Sequence, residues 1–183
     1  MIVARDGNDV VVGLFGDDVI CGGGGDDAIY GDEDNDRLDG GEGHDGVYGR
    51  SGDDLEFGGP GNDQLTGGGS TAGIDELHGG GGDDFLVGQN GADSLFGERG
   101  ADTADGGGHG DMISGGPGAD VLSGNVGPDT ITGDAGDDRI FGNDSPDFLD
   151  GGDDFDLLNG GNDGETGGHD TCVNGESLVA CEK

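Results

Sequence analysis

An aspartate stands at every ninth position through most of this chain. Counting from Asp9 gives Asp18, Asp27, Asp36, Asp45, Asp54 and Asp63. The count slips by three residues, resumes at Asp75, and runs through Asp84, Asp93, Asp102, Asp111, Asp120, Asp129, Asp138, Asp147 and Asp156. Asp fills 34 of the 183 positions, so chance does not fill seventeen successive places in the count. A fixed period of this kind marks a solenoid, in which each repeat packs only on its neighbours.

The other columns of the unit are nearly as regular. Two residues after each Asp comes an aliphatic side chain, from Val11, Ile20 and Ile29 through to Leu158, with Glu56 and Ala104 as the exceptions. Two residues before each Asp stands Gly, except at Asp34, His109, Ser145 and Asp154. Five residues before each Asp stands Gly again once the three-residue slip is set aside, with Ala4 as the exception. The cleanest copies are residues 22–30 (GGGGDDAIY), 58–66 (GGPGNDQLT), 79–87 (GGGGDDFLV) and 115–123 (GGPGADVLS).

Composition narrows what such a chain can do. Its formal charge is −36, with six Lys plus Arg, and 29% of it is hydrophobic. So little apolar surface does not offset chain entropy, and the carboxylates repel one another; a compact state needs counter-charge. Nucleic acid and anionic membrane surfaces are excluded as partners, because no basic patch exists to meet phosphate. No run approaches the roughly 20 apolar residues of a membrane span. No charged and apolar leader opens the sequence at Met1, so no signal peptide is expected in this stretch.

The unit itself points to a metal. Gly permits positive φ and close backbone approach, so a Gly-rich six-residue turn can bend sharply and aim carbonyl oxygens inward. Asp closes that turn with a carboxylate. Carbonyls plus carboxylates form a hard, all-oxygen donor set, which is what Ca²⁺ takes with six to eight ligands. The three residues after the turn read polar, aliphatic, polar: a short strand with one side chain inward. Stacked coils would pile those side chains into a single ladder.

With these columns in place, the unit resembles the repeats-in-toxin (RTX) calcium-binding nonapeptide, GGxGxDxUx with U a large aliphatic. The match is a recognition of a known signature, and it covers about residues 4–159. The resemblance implies an all-β chain folded as a right-handed parallel β-roll, two nonapeptides per coil, with Ca²⁺ held between successive turns on each edge. One edge would carry Asp9, Asp27, Asp45, Asp63, Asp84, Asp102, Asp120, Asp138 and Asp156. The other would carry Asp18, Asp36, Asp54, Asp75, Asp93, Asp111, Asp129 and Asp147. Eight gaps on the first edge and seven on the second give room for up to about 15 ions, which would bring about +30 against −36. The resemblance also implies an extracellular setting and folding coupled to metal binding.

Departures from the pattern mark its weak points. Gly69–Thr71 reads as a three-residue insertion that should bulge on the second edge. Glu56 enters the ladder between Leu55 and Phe57, where it is costly unless it snorkels, meets a cation or is protonated. After Asn159 the period fails, which divides the chain into a roll over 1–159 and a terminal cap over 160–183. Cys172 follows Asp170 by two residues, at a ladder place, and Cys181 comes nine residues later. A Cys172–Cys181 disulfide would tie the tail over the end of the roll, although sequence alone leaves connectivity open. The ending DTCVNGE…CE is similar to the Cys-capped C-termini of secreted actinobacterial RTX-repeat proteins. Cys21 then remains as a surface thiol or one whose partner lies outside this stretch.

Competing motifs fail on their details. The acidic pairs such as Asp17-Asp18 and Asp83-Asp84 recur with the repeat, so they read as turn residues and not as glycosidase carboxylates. Asp32 to Asp36 imitates the start of an EF-hand loop, but Arg37 and Gly43 stand where Gly and Glu are required. No Walker lysine follows the Gly runs, and HExxH and GxSxG are absent. His44, His78, His109 and His169 are scattered and read as solvated surface. A calcium-dependent structural module is the leading reading, and the chain is not expected to be an enzyme. An accessory module of a larger secreted enzyme or toxin, or an adhesin-like roll, stands behind it. An open sheet edge leaves dimerisation possible.

Overall fold

In a computed structural model of the chain, residues 1–69, 73–161, 169–179 and 181 are described. They form twenty short strands, β1 (Ile2–Asp6) to β20 (Ser177–Val179), in two parallel ten-stranded sheets. Odd-numbered strands make one sheet and even-numbered strands the other, so the chain crosses between sheets at every turn. This is the parallel β-roll, and each coil consists of two nonapeptides. Among the described residues no helix is long and apolar enough to cross a membrane.

Register follows the repeat. β2 (Val10–Phe15) pairs with β4 (Ala28–Glu33) by Val11↔Ile29, a step of eighteen residues. The step becomes twenty-one between β7 (Leu55–Pro60) and β9 (Glu76–Gly81), where Glu56 meets Leu77. It is also twenty-one between β8 (Gln64–Gly68) and β10 (Phe85–Asn90). The extra three residues therefore fall between Gly68 and Asp75, in a turn of the second edge. Of the expected insertion only Gly69 is described; Ser70 and Thr71 lie outside the described residues.

Strands alternate because one face is buried. In β4 the inward residues are Ile29 and Gly31. Repeated along the roll, this gives one aliphatic file and one glycine file inside each sheet. The file from Ile20 to Leu158 is buried throughout, and its aliphatic members, which are all but Glu56, form one continuous cluster. Each Leu or Ile buried this way contributes about 1.5–3 kcal/mol. The glycine file is a steric requirement. A Cβ on Gly79 would lie 2.6 Å from Asp84 Oδ2 and 2.8 Å from Gly97 O.

The roll continues beyond Asn159. β19 (Thr171–Val173) joins the odd sheet by Leu149↔Cys172, and β20 joins the even sheet by Leu158↔Leu178. Cys172 and Cys181 are joined in a disulfide with Cα atoms 5.8 Å apart. Cys21 is a free thiol on the outer face of the odd sheet.

Two positions behave differently from what their residue types suggest alone. His78 is not a freely solvated side chain. It stacks between Phe57 and Phe96, at 4.9 and 4.8 Å, and lies 2.8 Å from Glu76 and 3.1 Å from Glu98. That spacing is the inter-strand distance, so a stacked column forms wherever successive coils place flat rings in register.

Glu56 takes a full place in the ladder between Leu38 and Leu77, with no exposure. Its Oε1 accepts the Gly49 N–H at 2.8 Å. Burial pushes its carboxyl well above the usual range, and Asp75 and Asp54 add to the shift. Burial thus favours the neutral acid at Glu56 inside the roll. Replacing it by Leu, Glu56→Leu, restores the apolar file and removes the unpartnered Oε2, but it takes the acceptor from the Gly49 N–H. Set against that loss, burial of the Leu side chain should leave a net stabilisation of roughly 1 kcal/mol. Thermal unfolding in saturating Ca²⁺ should show a higher midpoint for this variant; a lower one would contradict the assignment of Glu56 as a neutral misfit.

Candidate metal sites

From Asp27 to Asp156 each nonapeptide turn ends in an aspartate whose side chain reaches back one coil. Asp27 Oδ1 accepts the Asp9 N–H at 2.8 Å, Asp45 Oδ1 accepts the Asp27 N–H, and the series runs on through Asp63, Asp84, Asp102, Asp120, Asp138 and Asp156. The other edge repeats it from Asp18 through Asp36, Asp54, Asp75, Asp93, Asp111, Asp129 and Asp147. Distances stay between 2.7 and 3.0 Å throughout. The two groups are the same two that period arithmetic separates. Even the lengthened turn keeps its bond, from Asp54 N–H to Asp75 Oδ1 at 2.9 Å.

The second carboxylate oxygen is the informative one. From Asp27 onward the column is buried, at 1–4% exposure. Oδ2 of Asp27, Asp36, Asp45, Asp54, Asp63, Asp75, Asp84, Asp93, Asp102, Asp111, Asp120, Asp129, Asp138 and Asp156 has neither water access nor a hydrogen-bond donor. A buried oxygen without a partner costs about 1–3 kcal/mol, more when charged. It needs a proton or a cation.

Among the described residues no Arg ion pair is seen to these oxygens. The Arg ion pair among the described residues joins Arg50 to Asp32, at 2.7 Å, outside both columns. Arg37 lies over the Phe57 ring instead. Among the described residues no group of three or more His, Cys, Asp or Glu side chains is placed to hold a metal ion by itself. A cation on these edges would take one or two carboxylates and draw its other ligands from turn carbonyls. That donor set fits Ca²⁺, which accepts six to eight oxygens in flexible geometry, and fits thiophilic or imidazole-seeking metals poorly.

The turns hold one shape despite their substitutions. Two residues before the Asp, φ is positive for Gly7, Gly16 and Gly25, and equally for Asp34 (75°), His109 (88°), Ser145 (100°) and Asp154 (81°). A non-Gly residue in this region is unfavourable by about 1–2 kcal/mol. The stack therefore imposes the turn on these four residues.

The residue immediately before the Asp has its own structural role, which the period alone does not reveal. Asn8 Oδ1 accepts the Asp26 N–H at 3.0 Å, Asp26 Oδ1 accepts the His44 N–H, His44 Nδ1 accepts the Asn62 N–H, and Asn62 Oδ1 accepts the Asp83 N–H. On the second edge Asp17, Asn35 and Asp53 do the same. This outer series points toward the C-terminal coil, opposite to the inner one. It explains the acidic pairs and gives His44 a role as an acceptor. It lapses where the column turns to Ala92, Gly110, Ala119 and Pro128.

Proton affinity follows burial. Desolvation raises Asp54, Asp63, Asp129 and Asp138 to about 6, and Asp75, Asp84, Asp111 and Asp120 to about 7. Each is partly offset by the backbone hydrogen bond from the preceding coil; for most of them, neighbouring Asp carboxylates add to the rise. Raised values mean that the folded chain binds protons more tightly than the unfolded chain. Without metal, stability from these groups is full below about pH 4, the ordinary Asp value, and is lost as pH rises through 6 to 7. In chelator, acidification from pH 8 to 4 should therefore increase β-structure seen by circular dichroism. A loss of structure over that range would contradict the raised values.

The sequence was compared with protein-family models and curated proteins. The model of the RTX calcium-binding nonapeptide repeat matches residues 1–29, 22–56, 57–71, 70–104, 87–122, 105–140 and 114–148. No curated protein matches the chain. The matched segments run continuously from residue 1 to 148 and carry all of the edge aspartates except Asp156. The chain belongs to the family of RTX calcium-binding nonapeptide repeat proteins.

Proposed function

We propose that this chain is a secreted structural module whose folding is driven by Ca²⁺ on the two aspartate edges. The observation that carries the reading is the row of buried Oδ2 atoms with no donor. Ionised and stacked one coil apart, these carboxylates repel; a divalent cation between coils removes the repulsion and supplies the missing partner. The proposed ligands are Asp9, Asp18, Asp27, Asp36, Asp45, Asp54, Asp63, Asp75, Asp84, Asp93, Asp102, Asp111, Asp120, Asp129, Asp138, Asp147 and Asp156, with turn carbonyls completing each shell and up to about 15 ions between them.

Binding and folding are one event in this account, because the sites exist only when coils stack. Each coil contacts only its neighbours, so filling one gap pre-forms the next, and binding is cooperative. Weak extracellular sites bind at about 10⁻⁴–10⁻³ M, so the module would be unfolded at low cytosolic Ca²⁺ and folded outside the cell. The aspartates hold the ion and the ladder holds the sheets; no catalytic step is assigned to any residue.

A titration from chelator to about 10 mM Ca²⁺, above the weak-site range, with Mg²⁺ in parallel, tests this at neutral pH. Far-UV circular dichroism and hydrodynamic radius should show a sigmoidal coil-to-β transition with compaction for Ca²⁺ and not for Mg²⁺. A chain already β-rich and compact in chelator would contradict metal-driven folding.

A further inference from the structure

We propose that the disulfide-tied segment after the last nonapeptide is itself a calcium turn, built with Asn174 and Glu176 in place of Gly and Asp, and that the ion and the Cys172–Cys181 disulfide support each other. This rests on the reading of the aspartate edges as calcium sites.

The terminal coil reproduces the inner hydrogen bond with a different residue. Asp156 N–H donates to Glu176 Oε2 at 2.8 Å, as each earlier Asp N–H donates to an Asp Oδ1. It also reproduces the oxygen pair around the glycine file. A Cβ on Gly151 would meet Asp156 Oδ2 and, at 2.5 Å, Asn174 O; the equivalent atoms at Gly79 are Asp84 Oδ2 and Gly97 O. Asp156 is 2% exposed, and its Oδ2 has no donor. That stranded oxygen, independent of the acidity of the segment, requires a positive partner at this coil too.

The replacement of Asp by Glu follows from the length of the turn. Ordinary turns place five residue steps between the file glycine and its aspartate, as from Gly151 to Asp156. Here two steps separate Asn174 from Glu176. The longer side chain covers the distance that the shorter turn does not. Asn174 supplies the left-handed backbone, with φ 52°, and its Nδ2 donates to Asp150 Oδ1 at 2.7 Å.

The disulfide closes the same loop. Asn174 and Glu176 both lie between Cys172 and Cys181, and Cys172 sits in the ladder against Leu149. An ion bridging Asp156 and Glu176 and the covalent link both restrict this one segment. Two restraints on one loop are coupled, and the coupling is reciprocal.

Native mass spectrometry of the full chain in Ca²⁺ counts the ions. Glu176→Gln keeps an oxygen for the Asp156 N–H but loses the charge, so it should hold one ion fewer than the parent. Asp138→Asn serves as the internal comparison. Reducing the disulfide should weaken the last ion by roughly 5–150-fold, the usual span of coupling between two sites. In return, Ca²⁺ should slow reduction of the disulfide in the parent and not in Glu176→Gln. Equal ion counts for Glu176→Gln and the parent, with fewer for Asp138→Asn, would overturn the cap site while leaving the edges intact. A parent chain that binds no Ca²⁺ would overturn the reading of the edges, and the cap site with it.

Discussion

The structure depends on one contact repeated along two edges: an aspartate oxygen accepting the backbone N–H of the aspartate one coil earlier. That bond sets the coil-to-coil distance and pulls the carboxylate out of water. Its companion oxygen is thereby buried against a glycine Cα with nothing to donate to it. The same geometry accounts for the run of glycines along the file after Ala4, because a side chain there would occupy the space of the carboxylate. The aliphatic ladder adds a thin dry core. A core one side chain wide in each sheet does not by itself offset a formal charge of −36. The balance between folded and unfolded chain therefore passes to whatever neutralises the edges, and protons and Ca²⁺ compete for that role.

Much of this was legible in the sequence, for a physical reason. A solenoid converts period into space: residues nine apart fall on alternate edges and residues eighteen apart lie above one another. The two aspartate groups, the ladder from Val11 to Leu158 and the insertion before Asp75 all follow from counting. The Cys172–Cys181 pairing was also anticipated, since Cys172 holds a ladder place. What counting missed lies where the count breaks. Asp170 follows Asp147 by twenty-three residues and Glu176 follows Asp156 by twenty, yet both carboxylates take part in the inner series. Irregular turn length kept both out of the nine-residue count, although Cys172 two residues after Asp170 already marked a turn closing before a ladder place, and Leu178 follows Glu176 by the same two residues.

Other gaps have a different origin. Asn8, Asp26, His44 and Asn62 share no chemical class, so their column looked mixed; they share only an acceptor atom at the right distance. His78 read alone is a surface residue, and it becomes part of a stacked column only once Phe57 and Phe96 are known to lie one coil to either side. Glu56 was recognisable as a misfit, but how the roll accommodates it depends on the Gly49 N–H that the fold brings to it.

The most direct test of the account is amide hydrogen exchange at the aspartate N–H groups of the inner series, compared in saturating Ca²⁺ and in chelator at neutral pH. Those amides are the donors that tie each coil to the next, so they report the stack itself. The account predicts strong, cooperative protection along both edges in Ca²⁺ and near-complete loss of protection in chelator. Equal protection in the two conditions would mean that the carboxylates stack without a cation, and would contradict the central claim.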